Sequence, residues 1–128
     1  MPQTTPKPRI LVIEDDEFLN RMYVTKLEHE QFEVLSASDG ETGLQLAVAE
    51  RPNIVLLDLL LPKRDGYSVL AEIKRRPEMQ RIPVIVLTNL SQQEQVQKCM
   101  ALGAADCLIK AHFTPSEVVQ KVRQLLQL

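Results

Sequence analysis

Residues 54–62 read IVLLDLLLP, an aliphatic run interrupted by a single carboxylate, Asp58. Four apolar residues precede the aspartate without polar alternation, which is typical of a strand buried on both faces of a parallel sheet. A lone carboxylate in such surroundings is costly to bury, so it needs a charged partner or a functional reason to be there. Capping of the next helix explains it poorly, because the helix signal comes later, at Asp65-Gly66.

Four more aliphatic runs alternate with longer segments that have the spacing of amphipathic helices. The runs are residues 10–13, 32–35, 84–87 and 107–109. The first predicted helix runs from 17 to 30. The second begins at a capping box of Ser38 and Glu41 and ends before Pro52, and the third runs from Asp65-Gly66 to before Pro77. The fourth runs from a capping box of Ser91 and Glu94 to Gly103, and the fifth begins at Thr114, followed by Pro115 and Glu117. This alternation predicts an α/β fold, a doubly wound, five-stranded parallel sheet with five helices on its two faces, or three-layer sandwich.

Length and composition predict one domain with no strong attraction to nucleic acid or membranes. The 128 residues suit a single core, and 45% hydrophobic with 25% charged residues are ordinary globular values. The net charge of −2 lacks the basic excess of nucleic-acid binders. Residues 1–8 are polar and proline-rich and are predicted to be a disordered tail before a domain at 9–128. Cys99 and Cys107 form no CxxC motif, and two free thiols predict a cytoplasmic location.

Polar side chains follow four of the five predicted strands. They are Glu14-Asp15-Asp16-Glu17 after the first strand, Asp58 after the third, Thr88 at the end of the fourth and Lys110 after the fifth. All but Asp58 have an ordinary explanation when taken alone: an acid of the first run caps the next helix, a threonine is common in strands, and a lysine is solvated. Because ligands of such sheets bind beyond the carboxyl ends of the strands, the joint arrangement favours a functional site at that edge.

The combination of residue types is suited to phosphoryl transfer. A carboxylate such as Asp58 can attack a phosphoryl group, but the attack brings two anions together. A Mg²⁺ ion held by Asp15 and Asp58, the Lys110 ammonium and the Thr88 hydroxyl would offset that charge. We therefore predict a Mg²⁺-dependent phosphoacceptor site.

Taken together, these segments resemble the response-regulator receiver domains of two-component systems. The matching pieces are ILVIEDDE at 10–17, LLDLLLPKRDG at 56–66, VIVLTN at 84–89 and GAADCLIK at 103–110. The resemblance implies a flavodoxin-like sheet with strand order 2-1-3-4-5. It further implies that Glu14 and Asp15 form the acidic pair with Asp15 a direct Mg²⁺ ligand, that Asp58 is the phosphoacceptor, that Leu60 lends its backbone carbonyl to the metal, that Thr88 is the switch hydroxyl and that Lys110 pairs with the phosphoryl group.

Three positions depart from the pattern of that family. Cys107 stands where an aromatic residue is usual, Ala111 where a proline is frequent, and Asn89 where a small residue is common. These departures concern the switch that follows phosphorylation and leave the acceptor motif complete.

The resemblance implies a stand-alone signalling domain that is not an enzyme in the ordinary sense and catalyses only its own phosphorylation and dephosphorylation. The expected donor is a sensor histidine kinase or a phosphotransfer protein. The expected output is contact with a downstream protein target, with no direct DNA binding, no membrane partner, and a monomeric or weakly dimeric state. The alternative is a receiver-fold adaptor that works by protein contact without phosphorylation.

Two other classes fit less well. A flavin carrier would need a phosphate-cradling loop after the first strand, and here that loop is acidic. A phosphatase of the haloacid dehalogenase type would need a DxDxT pattern, in which Leu60 occupies the second aspartate position.

Overall fold

The computed structural model describes residues 6–89 and 92–128, which form five strands alternating with five α-helices. In chain order the elements are β1 (Arg9–Ile13), α1 (Glu17–His29), β2 (Glu33–Ala37), α2 (Gly40–Glu50), β3 (Ile54–Leu57), α3 (Gly66–Arg75), β4 (Val84–Thr88), α4 (Gln93–Ala101), β5 (Asp106–Ile109) and α5 (Pro115–Leu126). A short 3₁₀ helix, Lys110–His112, follows β5 and was not predicted. The strand predictions are confirmed to within two residues, and the largest difference is at β2.

All neighbouring strands are parallel, in the order β2-β1-β3-β4-β5, which confirms the predicted sheet. Ile13 pairs with Leu57, so the residues that follow β1 and β3 emerge side by side. Thr88 pairs with Ile109, so β5 ends one residue before Lys110 at the same edge. The register therefore brings the predicted site residues together.

The aliphatic strands are divided between two cores, one on each face of the sheet. In β3, Val55 and Leu57 belong to the core beneath α2, α3 and α4, whereas Ile54 and Leu56 belong to the core beneath α1 and α5. All four are essentially inaccessible to solvent. This double burial explains why the run carries no polar alternation.

The last helix begins as the sequence predicts. The Thr114 hydroxyl accepts from the Glu117 amide at 3.2 Å, and the Glu117 carboxylate accepts from the Thr114 amide at 3.0 Å. Pro115 occupies the first turn, where its missing N–H leaves no hydrogen bond unmade. The predicted capping box is confirmed.

The predicted start of α2 needs correction, and the predicted cap of α4 lies outside the described residues. The cap of α2 is Asp39 and not Ser38, because β2 extends to Ala37 and the Asp39 carboxylate accepts from the Thr42 amide at 2.7 Å. At α4 the cap position is Gln92, whose side chain makes no capping hydrogen bond, while Ser91 lies outside the described residues.

Most of the predicted tail, residues 1–5, also lies outside the described residues. Residues 6–8 belong to no helix or strand, and the Pro8 carbonyl accepts from the Glu33 amide at 3.0 Å. Pro8 is therefore held against the start of β2. Within the described part of the chain, none of the helices has the length and apolar character needed to cross a bilayer.

The start of α5 has a side-chain cap at Thr114, whereas Gln92 at the start of α4 makes no capping hydrogen bond. The contribution of the cap to stability can therefore be measured by comparing the two positions. We expect Thr114→Ala to lower the free energy of unfolding by about 1 kcal/mol, because the Glu117 amide loses the Thr114 hydroxyl as its acceptor at the start of α5. Gln92→Ala is the matched control and should change it by less than about 0.5 kcal/mol. Urea unfolding of both variants measures the difference, and equal losses would contradict this assignment of the caps.

Candidate functional site

Glu14 and Asp58 extend the central strands by one residue each. The Asp58 amide donates to the Ile13 carbonyl and the Glu14 amide donates to the Ala37 carbonyl, both at 3.0 Å. These hydrogen bonds fix the two backbones as continuations of the sheet. Glu14 is 3% exposed and Asp58 is 7% exposed, so two acidic residues are buried at adjacent strand ends.

Lys110 lies between these two carboxylates. Its ammonium nitrogen donates to Glu14 Oε1 and, at 3.2 Å, to Asp58 Oδ2. The lysine side chain is only 9% exposed. Because Lys110 opens the 3₁₀ helix directly after β5, its backbone position is set by the sheet edge. One buried cation thus serves two buried anions.

The charges perturb one another strongly. Burial raises the pKa of Glu14 to about 7, a hydrogen bond from Lys110 opposes that rise, and the nearby charge of Asp58 adds to it. Burial lowers the pKa of Lys110, but the hydrogen bond from its ammonium group to Glu14 and the charge of Asp58 outweigh burial and raise it overall. Lys110 therefore stays protonated, and a further cation would favour ionised Glu14.

Asp15 completes an acidic cluster with these two residues. Glu14, Asp15 and Asp58 each offer one carboxylate oxygen within 4.8 Å of the others. Asp15 is solvent-exposed, on the open side of the cluster. Three convergent carboxylate oxygens with solvent access fit the preference of Mg²⁺ for oxygen ligands and retained waters.

The other two acids of the predicted run point elsewhere. Asp16 is the cap of α1, and its carboxylate accepts from the Leu19 amide at 2.9 Å. Glu17 lies in the first turn of α1, 3.7 Å from Arg21 across an exposed ion pair. The structure thus separates two acids at the cluster from two acids that serve the helix.

Leu60 lies on the loop after β3, two residues beyond Asp58, and Thr88 is at the end of β4. Leu60 is 62% exposed. Because its aliphatic side chain has no ligand atom, a metal-binding role would rest on its backbone carbonyl and stays a prediction. Thr88 is buried and is the last residue of β4, directly before Asn89. Its role as the switch hydroxyl also stays a prediction.

Two residues that support the site were missed by sequence reasoning. Asn20 on α1 donates to the Glu14 carbonyl at 2.9 Å and to the Ala37 carbonyl at 3.2 Å, which ties β1 to β2. Gly66 lies against the backbone of Asp58, where a Cβ atom would come within 2.2 Å of the Asp58 carbonyl oxygen. No sequence pattern marks an asparagine in a helix as a support for neighbouring strands. The pattern around Gly66 indicates only the start of a helix.

Comparisons with known proteins agree with this geometry. A family model described as "Response regulator receiver domain" matches residues 10–123. The chain is 38% identical over 121 residues to a "Probable transcriptional regulator ycf27" of Porphyridium aerugineum, covering 94% of this chain and 49% of that protein. It is 38% identical over 120 residues to the "DNA-binding dual master transcriptional regulator RpaA" of Synechocystis sp., with the same coverage of both chains. The chain spans about half the length of these relatives.

A solved structure extends the comparison to the metal. The receiver domain of a sensor histidine kinase from Pseudomonas aeruginosa, described with a magnesium ion coordinated in its active site cleft, superposes with a TM-score of 0.87. It is 27% identical and covers 96% of this chain and 100% of that chain.

The expectation of no direct DNA binding is wrong in view of these relatives. The Porphyridium and Synechocystis proteins are named transcriptional regulators, and the latter is named DNA-binding. The expectation rested on the net charge of −2, which lacks the basic excess of nucleic-acid binders. That charge describes only a segment that corresponds to about half of each relative, so it carries no information about how the rest of such a regulator contacts DNA.

Asp15 and Asp16 should give opposite results when each is replaced. We expect Asp15→Ala to weaken Mg²⁺ binding by at least about tenfold, because one of three clustered carboxylates is removed. Asp16→Ala should instead lower the free energy of unfolding by about 1 kcal/mol through loss of the α1 cap, with Mg²⁺ affinity nearly unchanged. Calorimetric titration and urea unfolding separate the two effects. Equal losses of Mg²⁺ affinity would show that the acids are misassigned.

The raised pKa of Glu14 predicts how stability depends on pH without divalent cations. An unfolded glutamate releases its proton near 4.5, whereas folded Glu14 keeps it until about 7, so raising the pH through this window lowers the free energy of unfolding. Glu14→Gln cannot ionise and should be more stable than the native protein at about pH 8. The advantage should vanish below the ordinary glutamate pKa.

Glu28→Gln, which removes an exposed carboxylate from α1, controls for the loss of one negative charge. Urea unfolding across the pH range in a chelating buffer provides the measurement. A constant difference between native protein and Glu14→Gln at all pH values would contradict the pKa assigned to Glu14.

Proposed function

The chain belongs to the response regulator receiver domain family, and on that premise we propose that Asp58 accepts a phosphoryl group in a Mg²⁺-dependent reaction. The expected donor is a phosphohistidine on a sensor histidine kinase or phosphotransfer protein. The observation that carries the proposal is the position of the Asp58 carboxylate. It is buried at a strand end, 3.2 Å from the Lys110 ammonium and clustered with Glu14 and Asp15.

The proposed reaction moves one phosphoryl group between two side chains. A carboxylate oxygen of Asp58 attacks the phosphorus atom, a P–O bond forms, and the P–N bond to the donor imidazole breaks. The imidazole nitrogen retains the bonding pair and takes a proton from solvent. Because attacker and phosphoryl group are both negative, the site has to supply positive charge before they can approach.

Lys110 supplies part of that charge. Its ammonium group already bridges Glu14 and Asp58, so it can turn to a phosphoryl oxygen on Asp58 with only a local movement. An ammonium contact of this kind stabilises charge on the equatorial oxygens of the transferring group. Thr88, at the end of the adjacent strand, is proposed as the hydroxyl that responds to the new phosphoryl group.

Glu14, Asp15, Asp58 and the Leu60 carbonyl are the groups proposed to hold the metal. When bound, Mg²⁺ neutralises charge on the phosphoryl oxygens and on the acidic cluster. The magnesium ion of the similar Pseudomonas receiver domain supports this choice of metal. The carboxylate cluster supports it independently, since three adjacent carboxylates repel one another unless a cation lies between them.

Receiver domains are phosphoacceptor signalling modules and not enzymes in the ordinary sense, and self-catalysed dephosphorylation is part of the proposal. The DNA binding named for the Synechocystis relative belongs to that protein. Stand-alone action, signalling through contact with a downstream protein and a monomeric or weakly dimeric state stay predictions. Cys99 and Cys107 are free thiols, on which the predicted cytoplasmic location rests.

A labelling experiment tests the acceptor. We expect incubation with acetyl phosphate and Mg²⁺ to add one phosphoryl group to the native chain and none to Asp58→Asn, as read by intact-protein mass spectrometry. Asp65→Asn is the matched control, because Asp65 caps α3 a few residues away and asparagine also caps helices. The control should be labelled like the native chain.

Labelling of Asp58→Asn to the native extent would rule out Asp58 as the acceptor. A native chain that binds Mg²⁺ but takes no phosphoryl group from acetyl phosphate or from a histidine kinase would favour the adaptor alternative.

A further inference from the structure

The loop that follows Asp58, residues 59–65, is seated on the first turn of α2. The Gly40 amide donates to the Pro62 carbonyl at 3.2 Å. The Arg64 guanidinium donates to the Glu41 carboxylate at 3.0 Å. Backbone and side-chain contacts thus join this loop to a helix that contributes no residue to the proposed reaction.

The seat depends on the absence of a side chain at residue 40. A Cβ atom on Gly40 would lie 1.8 Å from the Arg64 carbonyl oxygen and 2.7 Å from its carbonyl carbon. Both are backbone atoms, so no side-chain rotation can relieve the overlap. Any other residue at this position would push the loop away from α2.

The loop is also held in a strained conformation. Lys63 has a φ of 68°, a left-handed value that is unusual for a residue other than glycine, and the Arg64 amide donates to the Pro62 carbonyl at 2.7 Å across it. A conformation of this kind persists only where its surroundings hold it in place. The α2 seat provides that hold, and Lys63 also lies 4.0 Å from the Asp39 carboxylate, the cap of α2.

The other end of the loop is fixed to the acceptor strand. The Gly66 amide donates to the Leu59 carbonyl at 2.8 Å, and the Leu59 side chain is buried in the core. Leu60, whose carbonyl is proposed to bind the metal, lies between this anchor and the α2 seat. Its position is therefore set from both sides.

From this geometry we propose that Gly40 is a positioning residue for the phosphoryl site. It is not one of the proposed metal ligands or phosphoryl-binding groups, but it sets the path of the loop and thereby the position of the Leu60 carbonyl. The proposal rests on the proposed function, because it gives the loop its role in metal binding. It adds a part of the molecule, the start of α2, to the determinants of that site.

Gly40→Ala, with Gly43→Ala as its control, tests the proposal. The control lies one turn later in α2, where a Cβ atom would meet side-chain atoms of Ile13, the nearest at 2.6 Å, and not the loop. We expect Gly40→Ala to weaken Mg²⁺ binding about tenfold. In metal-free protein it should also shift the NMR amide signals of residues 59–61 and 63–65. Gly43→Ala should lower the unfolding temperature while the folded protein keeps native Mg²⁺ affinity within about twofold.

A second pair of variants applies if Gly40→Ala does not fold. Arg64→Lys keeps the charge but loses the guanidinium contacts to Glu41 and Ser68, and it should weaken Mg²⁺ binding by about two- to fivefold. Arg75→Lys is its control, since Arg75 forms a similar pair with Glu72 within α3, and it should bind Mg²⁺ like the native protein.

The possible failures are distinguishable. In the first case the native protein binds Mg²⁺ and is labelled on Asp58, and Gly40→Ala matches it in Mg²⁺ affinity and in the NMR signals of the loop. The positioning role is then overturned, and the proposed function stands. If Gly40→Ala does not fold, the same result for Arg64→Lys leads to the same conclusion. If the native protein binds no Mg²⁺ and takes no label, the proposed function fails and this inference fails with it.

Discussion

Three carboxylates converge at one edge of the sheet, and one buried lysine lies among them. Glu14 and Asp58 are brought together because β1 and β3 are parallel neighbours in a register that ends both strands at the same level. Lys110 reaches both from the end of β5. Buried charges persist only when they are paired, and here one cation is shared by more than one anion. The site is therefore short of positive charge, and the phosphoryl transfer proposed for Asp58 would need a further cation.

The surroundings of the acidic cluster keep its parts from moving apart. Asn20 ties the end of β1 to the end of β2, and Gly66 lets α3 begin directly against the backbone of Asp58. Gly40 plays the corresponding part for the loop beyond Asp58. None of these residues carries charge, yet Asn20 and Gly66 contact the backbones of Glu14 and Asp58, and Gly40 is proposed to set the position of the Leu60 carbonyl. Repulsion within the cluster is in this way resisted by backbone contacts on several sides.

Much of the fold could be predicted from sequence because the strands are continuous aliphatic runs and the helices carry periodic stripes. The site residues could be predicted as a group because parallel strands present their carboxyl ends at one edge. The residue types alone could not distinguish Asp15 from Asp16, since only the start of α1 decides which one caps the helix. The family resemblance implied Asp15 as the direct metal ligand. Likewise Ser38 and Asp39 are both good caps, and the two extra residues of β2 decide in favour of Asp39. The contact of Gly40 with Arg64 joins residues distant in sequence, so no local pattern indicates it.

The nature of the bond formed on Asp58 tests the central claim most directly. A phosphoryl group on a carboxylate is an acyl phosphate, which hydroxylamine cleaves to leave a hydroxamate on the side chain. Phosphorylated native protein should lose its phosphoryl group to hydroxylamine, and peptide mass spectrometry should find the hydroxamate at residue 58 alone. A phosphoryl group that resists hydroxylamine, or a hydroxamate at another carboxylate, would contradict the account.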